Sequence, residues 1–130
     1  MNKISKVVAL LGVILLIAGA GFHLTALGFI KEEALKIENP FLANVLMPVW
    51  VFPSAHWLIF GLIGGIAALM PSRATRAVLF LIAVALAVDA SLTFAALGPF
   101  AGAIILGIAS LCFALAAHTQ RHFKTSQKMA

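Results

Sequence analysis

Four stretches of about twenty apolar residues, separated by short polar segments, leave this chain almost no freedom of fold. They cover residues 7–30, 47–70, 77–97 and 100–117. At 1.5 Å per helical residue, each is close to the ~20 residues that cross ~30 Å of hydrocarbon. Inside lipid every backbone N–H and C=O must be satisfied within its own segment, so the runs are predicted to be helices. Composition excludes the alternative of a water-soluble core. Of 130 residues, 63% are hydrophobic and 10% charged, too apolar for a small globule that must keep a polar surface. The expected fold is an all-α integral membrane four-helix bundle, formed as a single transmembrane domain over residues 1–130.

Charge placement predicts the orientation. Lys3 and Lys6 precede the first run, Arg73 and Arg76 lie between the second and third, and Arg121, Lys124 and Lys128 follow the fourth. The other side carries only Lys31 and Lys36, offset by Glu32, Glu33 and Glu38. The positive-inside rule then puts both termini in the cytoplasm of a bacterial-type inner (plasma) membrane, with residues 31–46 outside. The segment KEEALKIENPF reads as a short interfacial helix stopped near Pro40. Gly98 and Pro99 alone join the third and fourth runs: glycine ends one helix and proline opens the next. MNKISK resembles the start of a signal peptide and Ala18-Gly19-Ala20 a cleavage site. The apolar run continues past it, which predicts a retained helix. Segments 5–29 and 75–99 align without gaps at an offset of 70 and share Ala-Leu-Gly. Alanine and leucine dominate both, so chance produces such a match easily and a true duplication is the lesser alternative.

Several function classes drop out. The net charge of +5 sits in short flanks of apolar segments, not in a patch interleaved with aromatics, so no nucleic acid is expected as a partner. The single Cys112 allows no dithiol redox pair. No nucleophile with a base, phosphate loop or HExxH occurs, which argues against an enzyme. In length and span number the chain is similar to small multidrug transporters. Their glutamate in the middle of the first helix has no counterpart, since residues 10–20 contain no acid.

Helices in lipid associate through small residues. Gly12 and Gly19 in the first run, Gly61 and Gly65 in the second and Gly107 in the fourth are the expected packing positions. Pro53 predicts a kink, because it removes a donor and clashes with the preceding turn. The expected partners are the lipid bilayer and either further copies of the chain or a larger membrane complex, in which this protein is an accessory or structural subunit.

Three ionisable residues stand inside these runs: His23, His56 and Asp89. By helical rise His56 and Asp89 lie ~13 Å from the outer ends of their runs and His23 ~8 Å. An aspartate at a helix centre costs about 2.5–3.5 kcal/mol on insertion scales, so the three are expected to face inward as a buried polar cluster. His23 shares a face with Gly12, Gly19 and Ala26, and Asp89 with Ala85, Thr93 and Ala96. His56 aligns with the bulkier Phe52, Phe60 and Ile63. Structural glue explains such residues as well as function does. Among functions, His23 and His56 could ligate haem b or, with Asp89, a divalent metal. Asp89 with His56 could instead relay protons in a small transporter. His118 and His122 share a face but lie amid Arg121 and Lys124, which favours a basic interfacial tail. The topology gives a first prediction. In intact cells a cysteine replacing Glu38 should react with an impermeant thiol reagent from outside, and one replacing Arg73 only after permeabilisation. Equal labelling from outside would contradict the orientation.

Overall fold

The computed structural model describes the backbone of residues 1–128 and the side chains of residues 1–119. The described residues form α1 (Lys3–Thr25), α2 (Leu27–Ala34), α3 (Pro40–Leu69), α4 (Thr75–Leu97) and α5 (Ala101–Lys128). Four helical segments are long and apolar enough to cross a membrane: Lys3–Ala34, Pro40–Leu69, Thr75–Leu97 and Ala101–Thr119.

Helix boundaries follow from local chemistry. The Asn2 side chain caps α1 by accepting from the Ser5 N–H at 2.6 Å. Asn39 caps α3, accepting from Phe41 N–H at 3.0 Å and Leu42 N–H at 3.4 Å, with Pro40 in the first turn. Proline has no N–H to lose there. Pro40 therefore opens a helix where it was expected to stop one, and α3 begins well before residue 47. At 30 residues α3 is about 45 Å long, more than the hydrocarbon core requires. Its early start also puts Pro48 inside the helix beside Pro53. Gly98 ends α4 with φ 71°, its N–H bonded to Phe94 O at 2.8 Å, a backbone shape that suits glycine. Pro99 lies outside both helices, and α5 starts at Ala101. The expected interfacial helix is displaced toward the N-terminus, because α2 ends at Ala34.

The helices run alternately up and down. α1 packs against α3 and α5, and α5 against α4, while α3 and α4 meet only weakly. The bundle is thus closed on three sides and has a shallow seam on the fourth. Both ends of the chain's spans are tied together: Ser5 Oγ and Thr119 Oγ1 are 2.6 Å apart, and Asn2 Nδ2 donates to Thr119 O at 3.3 Å. This terminal end also carries the α3–α4 connection. The far end carries α2 and the α4–α5 turn.

Phe113 is fully buried at the centre. A Cβ on Gly12 would lie 3.0 Å from its ring, and one on Gly64 only 2.6 Å. The ring is held between α1 and α3 by two glycines. The GxxxG residues approach less closely. A Cβ on Gly61 would meet Leu16 at 3.8 Å and one on Gly65 would meet Val13 at 4.0 Å, ordinary contacts with α1. Gly19 faces Ile105 at 3.2 Å, whereas a Cβ on Gly107 would meet nothing within 4 Å, so no close approach requires glycine there. Ser110 Oγ donates to Ala83 O at 2.7 Å and pins α5 to α4. The expected outcome for Gly64→Ala is overpacking of roughly 1–3 kcal/mol, read as a lower melting temperature in detergent. Phe113→Leu in the same chain should recover part of the loss, and Gly65→Ala should be close to neutral. Equal melting of the Gly64 and Gly65 variants would rule this packing out.

Candidate functional site: a carboxylate–imidazole pair in the open seam

α3 presents two faces toward its neighbours. Trp50, Ser54, Trp57, Gly61 and Gly64 recur at helical spacing, and within this set Ser54, Trp57, Gly61 and Gly64 are buried. Phe52, His56 and Phe60 lie on the adjacent face, which borders the seam with α4. His23 and His56 therefore meet different faces of the same helix.

In the seam, His56 Nδ1 lies 3.6 Å from Asp89 Oδ2. The two side chains remain about a quarter exposed, at 28% and 25%. The His56 ring meets the Phe60 ring edge-on at 4.4 Å and Phe52 at 6.0 Å. Phe52, Pro53, Trp57, Leu92 and Thr93 complete the walls of a cavity of about 190 Å³ around the pair. Asp89 Oδ2 is shielded from solvent yet accepts no hydrogen bond among the described residues. The separation from His56 is too long for a direct hydrogen bond but within the range of an ion pair when the imidazole is protonated. A carboxylate oxygen left this way is costly in a low-dielectric setting.

His23 has a separate set of partners on the α1 side. Its Nδ1 is 2.9 Å from Ser54 Oγ. Its ring stacks on Trp50 at 4.2 Å with an interplanar angle of 11°, and meets Trp57 edge-on at 5.3 Å. The His23 carbonyl accepts the Trp50 indole N–H at 3.2 Å and the Ala26 N–H at 3.4 Å, where α1 gives way to α2. Of the three ionisable residues, the structure brings His56 and Asp89 together and engages His23 elsewhere. The signal for its true neighbours was the spacing of Trp50, Ser54 and Trp57 at i, i+4 and i+7, which marks one stripe.

This geometry also bears on cofactors. One face of the His23 ring is covered by Trp50. The space beside His56, about 190 Å³, is below the ~300 Å³ at which small-molecule pockets begin. His23 does not line that cavity. Nor does any group of three or more His, Cys, Asp or Glu side chains converge among the described residues, so the two-histidine, one-carboxylate metal shell is not formed. His122 lies outside the described side chains. His118 lines a cleft at the terminal end. The chain matches no protein-family model, and neither a curated protein nor a solved structure matches it.

A double-mutant cycle on His56 and Asp89, read as detergent stability, should show coupling of ~0.5 kcal/mol or more, as contacting groups do. The same cycle on His23 and Asp89 should be additive. Additivity in both cycles would show that the seam pair makes no energetic contact.

Proposed function

We propose that the protein is a small multi-pass subunit of a bacterial-type inner membrane, both termini cytoplasmic, that assembles through the far half of the α3–α4 seam with a neighbouring transmembrane helix. The observation that carries this is the unsatisfied Asp89 oxygen in a seam that the chain does not close. Exposed apolar residues do not mark an interface here, since large hydrophobics such as Ile14, Leu81 and Leu111 stand out on all sides as they must in lipid. Polar groups do. Other exposed ones are satisfied locally: Ser91 Oγ donates to Ala87 O at 2.8 Å and Thr25 Oγ1 to Phe22 O at 2.6 Å. Asp89 Oδ2 has no such outlet among the described residues. At a cost of about 2.5–3.5 kcal/mol for a carboxylate in hydrocarbon, a neighbour that donates a hydrogen bond and covers the seam is the physical remedy. The neighbour belongs to a larger complex or to a second copy, and the role is accessory or structural.

A second reading is favoured by the same pair. An imidazole beside a carboxylate oxygen without a donor is a workable proton relay, and transport by so short a chain would need an oligomer.

A photo-crosslinking residue placed at Phe52 or Leu92, on the walls of the seam, should give an adduct of defined mass in native membranes, and one at Ile14 should not. Asp89→Ala should abolish the adduct and Asp89→Asn, which keeps hydrogen-bonding capacity, should retain it. Absence of adducts at both seam positions would refute assembly through this face. Proton flux in proteoliposomes that is lost in Asp89→Asn, with the adduct intact, would favour the relay.

A further inference from the structure

A large cleft lies far from the seam, at the terminal end between α4 and α5. It encloses about 740 Å³, within the range of small-molecule sites. Its rim carries Arg73, Arg76 and His118, and its wall descends over Phe80, Leu111 and Leu115. We propose that this cleft binds one anionic glycerophospholipid, its phosphate between Arg73 and Arg76 and an acyl chain along Phe80, Leu111 and Leu115.

Charge bookkeeping leads there first. The whole chain has four acidic residues, Glu32, Glu33, Glu38 and Asp89. The three glutamates belong to α2 and the loop after it, at the far end. Asp89 is thirteen residues along α4 from Arg76, or ~20 Å by helical rise. No side-chain carboxylate can reach the two arginines, and neither forms an ion pair among the described residues. Lys3 and Lys6 stand at the same end, and Arg121, Lys124 and Lys128 follow in sequence.

Local structure then holds Arg73 in place. The Ser72 N–H donates to Thr75 Oγ1 at 2.7 Å, the Ala74 N–H to Ser72 Oγ at 3.2 Å and the Thr75 N–H to Ser72 O at 3.3 Å. Thr75 is buried, so the turn bearing Arg73 is anchored to the bundle. Arg76 follows one residue later on α4. Guanidinium groups bind phosphate through paired donors, a geometry that lysine lacks.

The wall decides between a lipid and a free anion. Phe80, Leu111 and Leu115 line the same cleft as the arginines and continue from them into the membrane-spanning part. Inorganic phosphate would use the rim and leave this wall empty. A phospholipid fills both, and basic pockets between transmembrane helices are suited to such head groups.

The test uses the full-length protein, purified and delipidated in neutral detergent, with lipid adducts counted by native mass spectrometry during titration. Phosphatidylglycerol should bind with a stoichiometry of one, and phosphatidylcholine should bind on the order of tenfold more weakly. Arg73→Gln with Arg76→Gln should weaken phosphatidylglycerol on the order of tenfold or more. Lys3→Gln with Lys6→Gln removes the same charge from the same end and should leave the adduct in place. Equal losses in the two double variants would overturn the site in favour of diffuse attraction. Ala114→Phe, which narrows the apolar part and spares the arginines, should also displace the lipid, and keeps the test decisive if the arginine variant does not fold. Retention of lipid in Ala114→Phe, or displacement of phosphatidylglycerol by millimolar inorganic phosphate, would overturn the acyl-chain assignment.

Discussion

One aromatic ring against two glycines sets the geometry of the bundle. Phe113 of α5 sits where Gly12 of α1 and Gly64 of α3 leave room for it, so three helices are spaced by a single side chain. In lipid there is no hydrophobic gain from bringing apolar helices together, because the tails they displace are equally apolar. Close fit supplies the attraction instead. The ring fills what would otherwise be a void on the bundle axis, and dense contact of this kind is felt atom by atom. Leu16, Leu79, Leu86 and Leu106, all essentially buried, belong to the same core.

Polar groups are distributed according to what the packing can satisfy. On the α1–α3 side, the His23 imidazole pairs with the Ser54 hydroxyl, and the Trp50 indole stacks on that ring and donates to the His23 backbone carbonyl. On the α4–α5 side, one serine reaches one carbonyl. At the weak α3–α4 contact, a buried carboxylate oxygen goes without a donor among the described residues. A weak contact between neighbouring spans and a buried oxygen without a donor coincide, and that coincidence is the reason to look beyond the single chain for the partner of Asp89.

Much of this was legible in the residues. The lengths of the apolar runs and the charges between them give four membrane-scale helices, since lipid admits few other backbones. Asp89 and His56 could be matched by depth because both are counted along a rigid helix. What could not be read was rotation. His23 and His56 are near one another in depth, but Trp57 follows His56 by one residue, about 100° around α3, and the stripe bearing Trp57 faces α1. A motif also outranked geometry: the GxxxG pair drew attention that belongs to Gly64, whose importance depends on a phenylalanine nearly fifty residues away. α3 starts before its apolar run because Asn39 caps it and Pro40 occupies its first turn, where proline initiates rather than terminates a helix.

The order of packing has a consequence for how the protein is made. α5 is the helix that joins α4 to α1, and it carries Phe113 and the Thr119 contacts to Asn2 and Ser5. Until it is synthesised, the α1–α3 pair and α4 share only the weak seam. A ribosome delivers helices one by one, so the nascent chain passes through a stage with its central layer open and α4 barely held. The protein reaches its native arrangement only when its last span enters the membrane, and a chain broken off before residue 113 lacks the piece that locks the others.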